Sequence, residues 1–228
     1  MGFDDGKNSN PDSVMYDPVR KVLCTTDSAA GSPSKNETAY IDHVNIDGLT
    51  FENMNFTGSK GRIMFLYEDY YATINNVSVS NCSFETDKPW LCEYMEGGSL
   101  KTFNLAAVYV LHRMGVSNIE ITENVIKNHY QGMIVYNVNN IYVNGNNITG
   151  TVHNAIAVQS VSSGTSSGNI EIVNNTISNM NERPVRFGAL DSATIIVSEN
   201  TIINAVDEDN EILRTQTCTQ TTYTFENF

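Results

Sequence analysis

A nine-residue pattern recurs four times in the second half of the chain. Each copy has apolar residues at its second, fourth and ninth positions and an asparagine at its seventh. The copies are 118–126, 140–148, 169–177 and 194–202, and their asparagines, 22, 29 and 25 residues apart, are Asn124, Asn146, Asn175 and Asn200. Self-similarity at this period, with two-residue alternation inside each copy, predicts a β-solenoid in which each repeat adds one rung. A propeller blade would need about 40 residues or more.

The recurring asparagine predicts how the strands of a rung are joined. Asparagine tolerates the left-handed conformation of tight turns, and its side chain bonds nearby backbone. Rungs stacked about 4.8 Å apart bring the amides of successive asparagines within hydrogen-bond reach, as in the ladders of stacked β structures. Two looser copies of the pattern lie upstream, at Val44, Ile46, Leu49 and Phe51, and at Val77, Val79, Cys82 and Phe84.

With this period and this asparagine station, the chain resembles the right-handed parallel β-helix of the pectin-lyase-like superfamily over roughly residues 15–228. The resemblance implies an all-β fold of about seven rungs of three short strands with an asparagine ladder. A first strand is expected in each rung, at 19–24, 62–67, 106–112, 132–136, 154–159, 184–189 and 211–215. Residues 1–14 are expected to be an expression start and linker, and 85–104 an insertion into one domain spanning 15–228. The final TYTFENF is similar to the start of another rung, which predicts that the chain was excised from a longer protein.

Composition points to an extracellular or cell-surface protein. Only 17% of the residues are charged, against 40% hydrophobic, and the net charge is −13. That charge argues against nucleic acid as a partner, because phosphate binding depends on Lys and Arg. A polyanionic glycan is also disfavoured unless Ca²⁺ or a local arginine cluster reverses the field. No apolar run is long enough to span a membrane, so membrane insertion is not expected.

The expected first strands are apolar at consecutive positions, which indicates a strand covered on both faces. The inward row is expected to be Ile63, Val108, Ile134, Ile156, Val185 and Ile212. The next row, expected to face outward, is Met64, Tyr109, Val135, Ala157, Arg186 and Leu213. A packing partner is therefore predicted on this face: the 85–104 insertion, a further segment, another subunit or a ligand. The alternative is a register one residue away, which turns the row inward.

Catalytic candidates follow from the resemblance, because enzymes of this fold place charged residues from adjacent rungs on the outside of one sheet. Hydrolysis needs two carboxylates about 5–10 Å apart, and lyase chemistry needs a base. Candidates near the ends of the first strands are Glu68, Asp69, His112, His153 and Glu211. The family's pectin-hydrolase and pectate-lyase signatures are absent, so no catalytic residue carries over.

Ligand-binding candidates combine aromatic platforms with the main cationic cluster of this acidic chain. They are Tyr109, Tyr136, Arg183, Arg186, Arg214 and Trp90. Aromatic rings suit pyranose stacking or coverage of the helix side, and the arginines suit either an anion or salt bridges along neighbouring strands. We expect a shallow groove from Val135 to Leu213, with the arginines at one end. No cofactor is expected, apart from Ca²⁺ as an alternative use of the acidic run 207–209 with Glu211.

The four cysteines, Cys24, Cys82, Cys92 and Cys218, lack the spacing of a zinc site. Cys82 occupies the ladder station of its repeat. Free structural thiols are expected, with a Cys82–Cys92 disulfide as the alternative outside the cytosol.

Taken together, these features predict a non-catalytic β-helix module of a bacterial surface or secreted protein. Its partner would be a carbohydrate or a host or cell-surface protein. The alternative is a carbohydrate-active enzyme domain, a polysaccharide lyase or glycoside hydrolase, that uses the charged residues at the strand ends.

Overall fold

The structure is a computed structural model. The residues that it describes are 14–17, 22–25, 46–57, 63–67, 74–87, 93–96, 99–102, 106–112, 116–160, 166–180, 182–205, 213–216 and 218–226. Every regular element in these ranges is a β-strand.

Most of the strands belong to three parallel sheets. The first sheet contains β6 (Ile63–Tyr67), β11 (Ala106–His112), β14 (Gln131–Tyr136), β17 (Ile156–Gln159), β20 (Val185–Gly188) and β23 (Leu213–Gln216). The second contains β3 (Ile46–Asp47), β4 (Thr50–Glu52), β7 (Ile74–Ser80), β12 (Val116–Thr122), β15 (Val138–Asn144), β18 (Ser166–Val173), β21 (Leu190–Ser198) and β24 (Thr222–Glu226). The third contains β5 (Asn55–Thr57), β8 (Ser83–Glu85), β13 (Val125–Lys127), β16 (Asn147–Thr149), β19 (Thr176–Ser178) and β22 (Thr201–Ile203).

The chain visits the three sheets in a fixed cyclic order. From β11 onward, each repeat places one strand in the first sheet, the next in the second and the next in the third. Each strand pairs in parallel with its equivalents in the preceding and following repeats. This all-β arrangement is consistent with a parallel β-helix, and six of the seven predicted first strands are found in the first sheet.

Two antiparallel hairpins lie outside the parallel sheets. The first pairs β1 (Val14–Asp17) with β2 (Val22–Thr25), which lies beside β6. The described part of the predicted first strand 19–24 therefore belongs to a hairpin. The second, within the predicted insertion, pairs β9 (Glu93–Glu96) with β10 (Ser99–Thr102). A hairpin satisfies its backbone groups locally, and its sequence needs no relation to the repeat period.

The core lies between the three sheets. The motif positions that alternate as apolar, such as Ile119, Ile121 and Ile126, are almost completely buried. Phe84 and Phe187 are the largest fully buried side chains of the described part. The alternation in each copy therefore separates an inner apolar face from an outer polar one, as predicted.

The predicted hydrogen bonds between successive asparagines are present and buried. Asn124 donates through its side-chain Nδ2 to Asn146 Oδ1 at 2.9 Å, Asn146 to Asn175 at 2.9 Å, and Asn175 to Asn200 at 3.0 Å. Each acceptor oxygen also receives the backbone N–H of the preceding asparagine. At the start of the ladder, the backbone N–H of Cys82 donates to Asn124 Oδ1 at 2.9 Å.

The left-handed conformation falls one residue earlier than predicted. At this turn the positive-φ residue comes directly before the ladder position: Glu123, Gly145, Asn174 and Glu199 precede the four asparagines, and Asn81 precedes Cys82. The ladder asparagine thus stabilises the turn by hydrogen bonds, and the residue before it adopts the left-handed conformation.

The first loose copy was wrongly aligned in the sequence. Phe51 pairs with Val79, and Ile46 pairs with Ile74. Leu49 and Phe51 are therefore equivalent to Val77 and Val79, whereas the prediction matched Val44 and Ile46 to them.

The outward row of the first sheet also differs at two positions. Val108 pairs with Met133, which places Ile134 beside Tyr109 in the outward row and leaves Val135 in the inner core. Val185 pairs with Leu213, which packs against the inner core, so Arg214 is the register partner of Arg186. Consecutive apolar residues contain no alternation that could fix the register, and a slip of one residue exchanges the two faces.

Candidate functional site

A bend recurs at one position of the second sheet. In seven successive repeats, one residue of the second-sheet strand or of its immediate surroundings has φ between +47° and +75°. These residues are Gly48, Asn76, Asn118, Asn140, Gly168, Ser192 and Gln220. The strands change direction where this column crosses them. Glycine and asparagine occupy five of its seven positions because the left-handed conformation is costly for most other side chains.

An outer ladder of polar side chains follows this column. Asn76 Nδ2 donates to Asp47 Oδ1 at 2.6 Å, and Asn118 Nδ2 donates to Asn76 Oδ1 at 3.0 Å. Asn140 Nδ2 then donates to Asn118 Oδ1 at 3.2 Å, and the backbone N–H of Asn169 donates to Asn140 Oδ1 at 3.0 Å. All four bonds are exposed, unlike those of the buried ladder.

A groove of about 330 Å³ lies over this outer ladder in three consecutive repeats. Its lining residues are Asn118, Ile119, Glu120, Asn140, Ile141, Tyr142, Asn169 and Glu171. Both isoleucines are core residues, so the side chains that face the groove are polar or aromatic. We call this feature the second-sheet groove.

One row of side chains crosses the second-sheet groove along the stack. Glu120 pairs with Tyr142, and Tyr142 pairs with Glu171, so a tyrosine lies between two carboxylates. Glu120 is exposed, and Tyr142 and Glu171 are half-buried. Hydrogen-bonding amides, carboxylates and one aromatic ring in a concave site are the groups with which proteins bind polar ring-shaped ligands.

The sequence analysis missed this site, although the motif contains its signal. The first motif position is asparagine in three of the four copies, and the third is Glu120, Tyr142 and Glu171 in those copies. Those positions were interpreted only as the solvated face of an alternating strand. Asparagine is unfavourable in a β-strand. Its return at the first position of the motif was therefore the signal in the sequence for the bend.

The structure brings together three of the predicted ligand-binding residues on the outer face of the first sheet. Tyr109 and Tyr136 have ring centroids 5.8 Å apart, and Arg186 is close enough to influence Tyr136 electrostatically. Tyr109, Ile134 and Ala157 form a second buried apolar cluster there with Ala106, and Tyr109 is only 8% exposed. Because Ile134 and Ala157 are buried, the predicted open groove does not extend over them.

Burial raises the pKa of Tyr109 well above its ordinary value of 10.0, and the neighbouring Tyr136 adds to the effect. Burial also raises the pKa of Tyr136, against the positive charge of Arg186. Both phenols are therefore neutral in the folded protein over the physiological range.

Stability should fall at alkaline pH because of this buried phenol. Below about pH 10 the Tyr109 phenol is protonated in both the folded and the unfolded state. Above that pH only the unfolded chain ionises, so the free energy of unfolding falls by about 1.4 kcal/mol per pH unit. Urea unfolding on either side of pH 10 should show this loss, and Tyr109→Phe should reduce the slope. An identical slope in the variant would contradict the burial of this hydroxyl.

His153 and Arg183 lie elsewhere, in the turns between the third and first sheets. His153 Nδ1 contacts Glu182 Oε2, an ion pair when the imidazole is protonated, and its ring lies 5.8 Å from that of Tyr130. Arg183 follows Glu182 directly and precedes β20. Glu182 is thus a structural partner for His153.

The other predicted site residues are outside the part that can be described. Glu68, Asp69, Trp90, Glu211 and the acidic run 207–209 lie outside the described residues, and for His112 and Arg214 only the backbone is described. No group of three or more His, Cys, Asp or Glu placed to hold a metal occurs among the described residues. In the same part there is no helix long and apolar enough to cross a membrane.

Cys82 is a buried free thiol, as expected. Its Sγ donates to the carbonyl oxygen of Ser80 at 3.2 Å. The Cys218 thiol is likewise not part of a disulfide. Cys92, the partner of Cys82 in the alternative disulfide, lies outside the described residues.

Comparisons with protein-family models, with curated proteins and with solved structures found no match to this chain.

Proposed function

We propose that this chain is a right-handed parallel β-helix of the pectin-lyase-like type, with about seven rungs in one domain over 15–228, and that it is a glycan-binding module. The cyclic order of strands and the buried asparagine ladder support this fold. The balance of few charges and many polar residues supports an extracellular or cell-surface location in a bacterial surface or secreted protein.

The observation that carries the binding function is the second-sheet groove. It spans three repeats, offers amide and carboxylate groups for hydroxyls, and places the Tyr142 ring in the middle of the row. A pyranose can stack on such a ring while its hydroxyls bond to the flanking groups. Because the groove is open along the stack, a chain of sugars fits it better than a compact metabolite.

Replacing Tyr142 by Ala should weaken glycan binding by about tenfold to a hundredfold, because a stacked aromatic contributes a large part of the contact area in such a site. A glycan array should first identify the ligand, and isothermal titration of parent and variant should then give the two affinities. Thermal unfolding should change little, since Tyr142 is half-buried on the outer face.

The matched control is Tyr136→Ala, a half-buried tyrosine at the outer face of the first sheet. It should leave the affinity unchanged if the second-sheet groove is the site. If Tyr136→Ala abolishes binding and Tyr142→Ala does not, the ligand binds on the first sheet, where the sequence analysis predicted it.

Glycoside hydrolysis is a second candidate function, favoured by Glu120 and Glu171. Glu171 lies two repeats along the stack from Glu120, which places their backbones about 9.6 Å apart. The two carboxyl groups of an inverting glycosidase are about 6.5–9.5 Å apart, which side chains leaning toward each other would reach. Lyase action on a uronate has no such support, since none of the residues lining the groove is cationic.

Release of reducing ends from the bound glycan tests this second function. A hydrolase should lose activity by at least about a hundredfold in either Glu120→Gln or Glu171→Gln, because one carboxyl must act as acid and the other as base. If the bound glycan stays intact on long incubation, the protein binds the glycan without hydrolysing it.

A further inference from the structure

We propose that the glycan of the second-sheet groove carries free amino groups: a polymer of amine-bearing sugars in extended β linkage. This inference rests on the proposed glycan-binding function and assigns the chemical class of its ligand.

The charges of the row give the first reason. Glu120, Tyr142 and Glu171 present two carboxylates with an aromatic ring between them, and none of the lining residues is Lys or Arg. An ammonium group gains from a carboxylate and from the face of an aromatic ring. A uronate would meet like charge at both ends of the same row.

The polar groups of the outer ladder give the second reason. Asn118 and Asn140 each use one amide hydrogen and the amide oxygen within the ladder. Because an amide has two N–H groups, each can offer its second one to a ligand hydroxyl. The strong hydrogen-bond acceptors among the lining residues are therefore the carboxylates of Glu120 and Glu171. Such acceptors suit a ligand with cationic donors.

The repeat spacing gives the third reason. Sugars in an extended β-linked chain advance by a distance close to one repeat of the stack, about 4.8 Å, and alternate sugars turn the same side toward the protein. A chain laid along the stack would therefore direct the amines of its first and third sugars to Glu120 and Glu171. The second sugar would cover Tyr142.

The net charge of −13 acts in the same direction over a longer range. It raises the concentration of a polycation near the surface and lowers that of a polyanion.

Isothermal titration with four hexasaccharides tests the inference: β-linked glucosamine, N-acetylglucosamine and glucose hexamers, and, as a soluble polyanion, an α-linked galacturonate hexamer. At mildly acidic pH and low salt, the glucosamine hexamer should bind about twofold to thirtyfold more tightly than its N-acetylated form, from two partly exposed ion pairs. High salt should remove most of this preference. The double variant Glu120→Gln/Glu171→Gln should lose the preference for the glucosamine hexamer over its N-acetylated form.

The matched control is Glu52→Gln/Glu226→Gln, which removes the same charge from exposed positions of the second sheet outside the groove. It should keep the preference. Equal binding of the amine and N-acetylated hexamers, tighter binding of the galacturonate hexamer, or binding of none of the four would overturn the amine assignment. The proposed glycan-binding function fails separately, if no glycan of an array binds in a manner that depends on Tyr142.

Discussion

Replacing Asn146 by Ala should lower the free energy of unfolding by about 4 kcal/mol, a large share of a typical domain's stability. Asn146 Oδ1 accepts the backbone N–H of Asn124 at 3.0 Å and its side-chain Nδ2 at 2.9 Å. Its own Nδ2 donates to the carbonyl of Ile121 at 2.8 Å and to Asn175 Oδ1 at 2.9 Å. Alanine would leave the buried backbone N–H of Asn124 without this acceptor, at about 1–3 kcal/mol. It would also remove one bond each from Asn124 Nδ2, Asn175 Oδ1 and the carbonyl of Ile121, at about 1 kcal/mol for each bond.

Urea unfolding followed by circular dichroism measures this loss, and the next residue supplies the control. Asn147 is exposed at the start of β16, so Asn147→Ala should change the free energy of unfolding by less than about 0.5 kcal/mol. If both alanine variants are equally stable, the buried ladder does not contribute to the fold as described.

Gly132→Ala should destabilise the protein by about 3 kcal/mol, because the backbone of the next strand occupies the space of a methyl group. A Cβ at Gly132 would lie 2.3 Å from the carbonyl oxygen of Ala155 and 3.2 Å from Ile148 Cγ2. That carbonyl accepts the backbone N–H of Met133 at 2.8 Å, so β14 and β17 cannot separate without losing sheet hydrogen bonds.

Gly188→Ala is the matched control in the same sheet. Its Cβ would meet Gln159 Cγ at 3.4 Å, an ordinary contact with a flexible side chain, and we expect a change below about 1 kcal/mol. Thermal unfolding of the two variants gives the comparison. Equal melting temperatures would mean that β14 and β17 are not as close as the structure has them.

The motif strands could be predicted because their alternation records burial directly. Ile119 and Ile121 point inward and Glu120 outward, as a period of two requires. The buried ladder was also predictable, since only stacking at a fixed station explains an asparagine that returns at irregular intervals. Strand 106–112 matches β11 at both ends.

The register of the first sheet could not be predicted, because GMIVY offers four apolar residues in succession. Whether Met133 or Ile134 faces the core depends on the pairing with Val108, which only the stack determines. The second-sheet groove depends on the stack in the same way. In the sequence, Asn118 is an ordinary polar residue. Its place in a column of bends is visible only in the structure, where Asn140 has the same left-handed conformation in the next repeat.

Backbone amide chemical shifts, recorded as the best-binding glycan is titrated into the protein, test the proposed site most directly. The account predicts the largest changes at 118–120, 140–142 and 169–171, with little change on the first sheet. Largest changes around Tyr136 and Arg186, with the second-sheet groove unaffected, would contradict it.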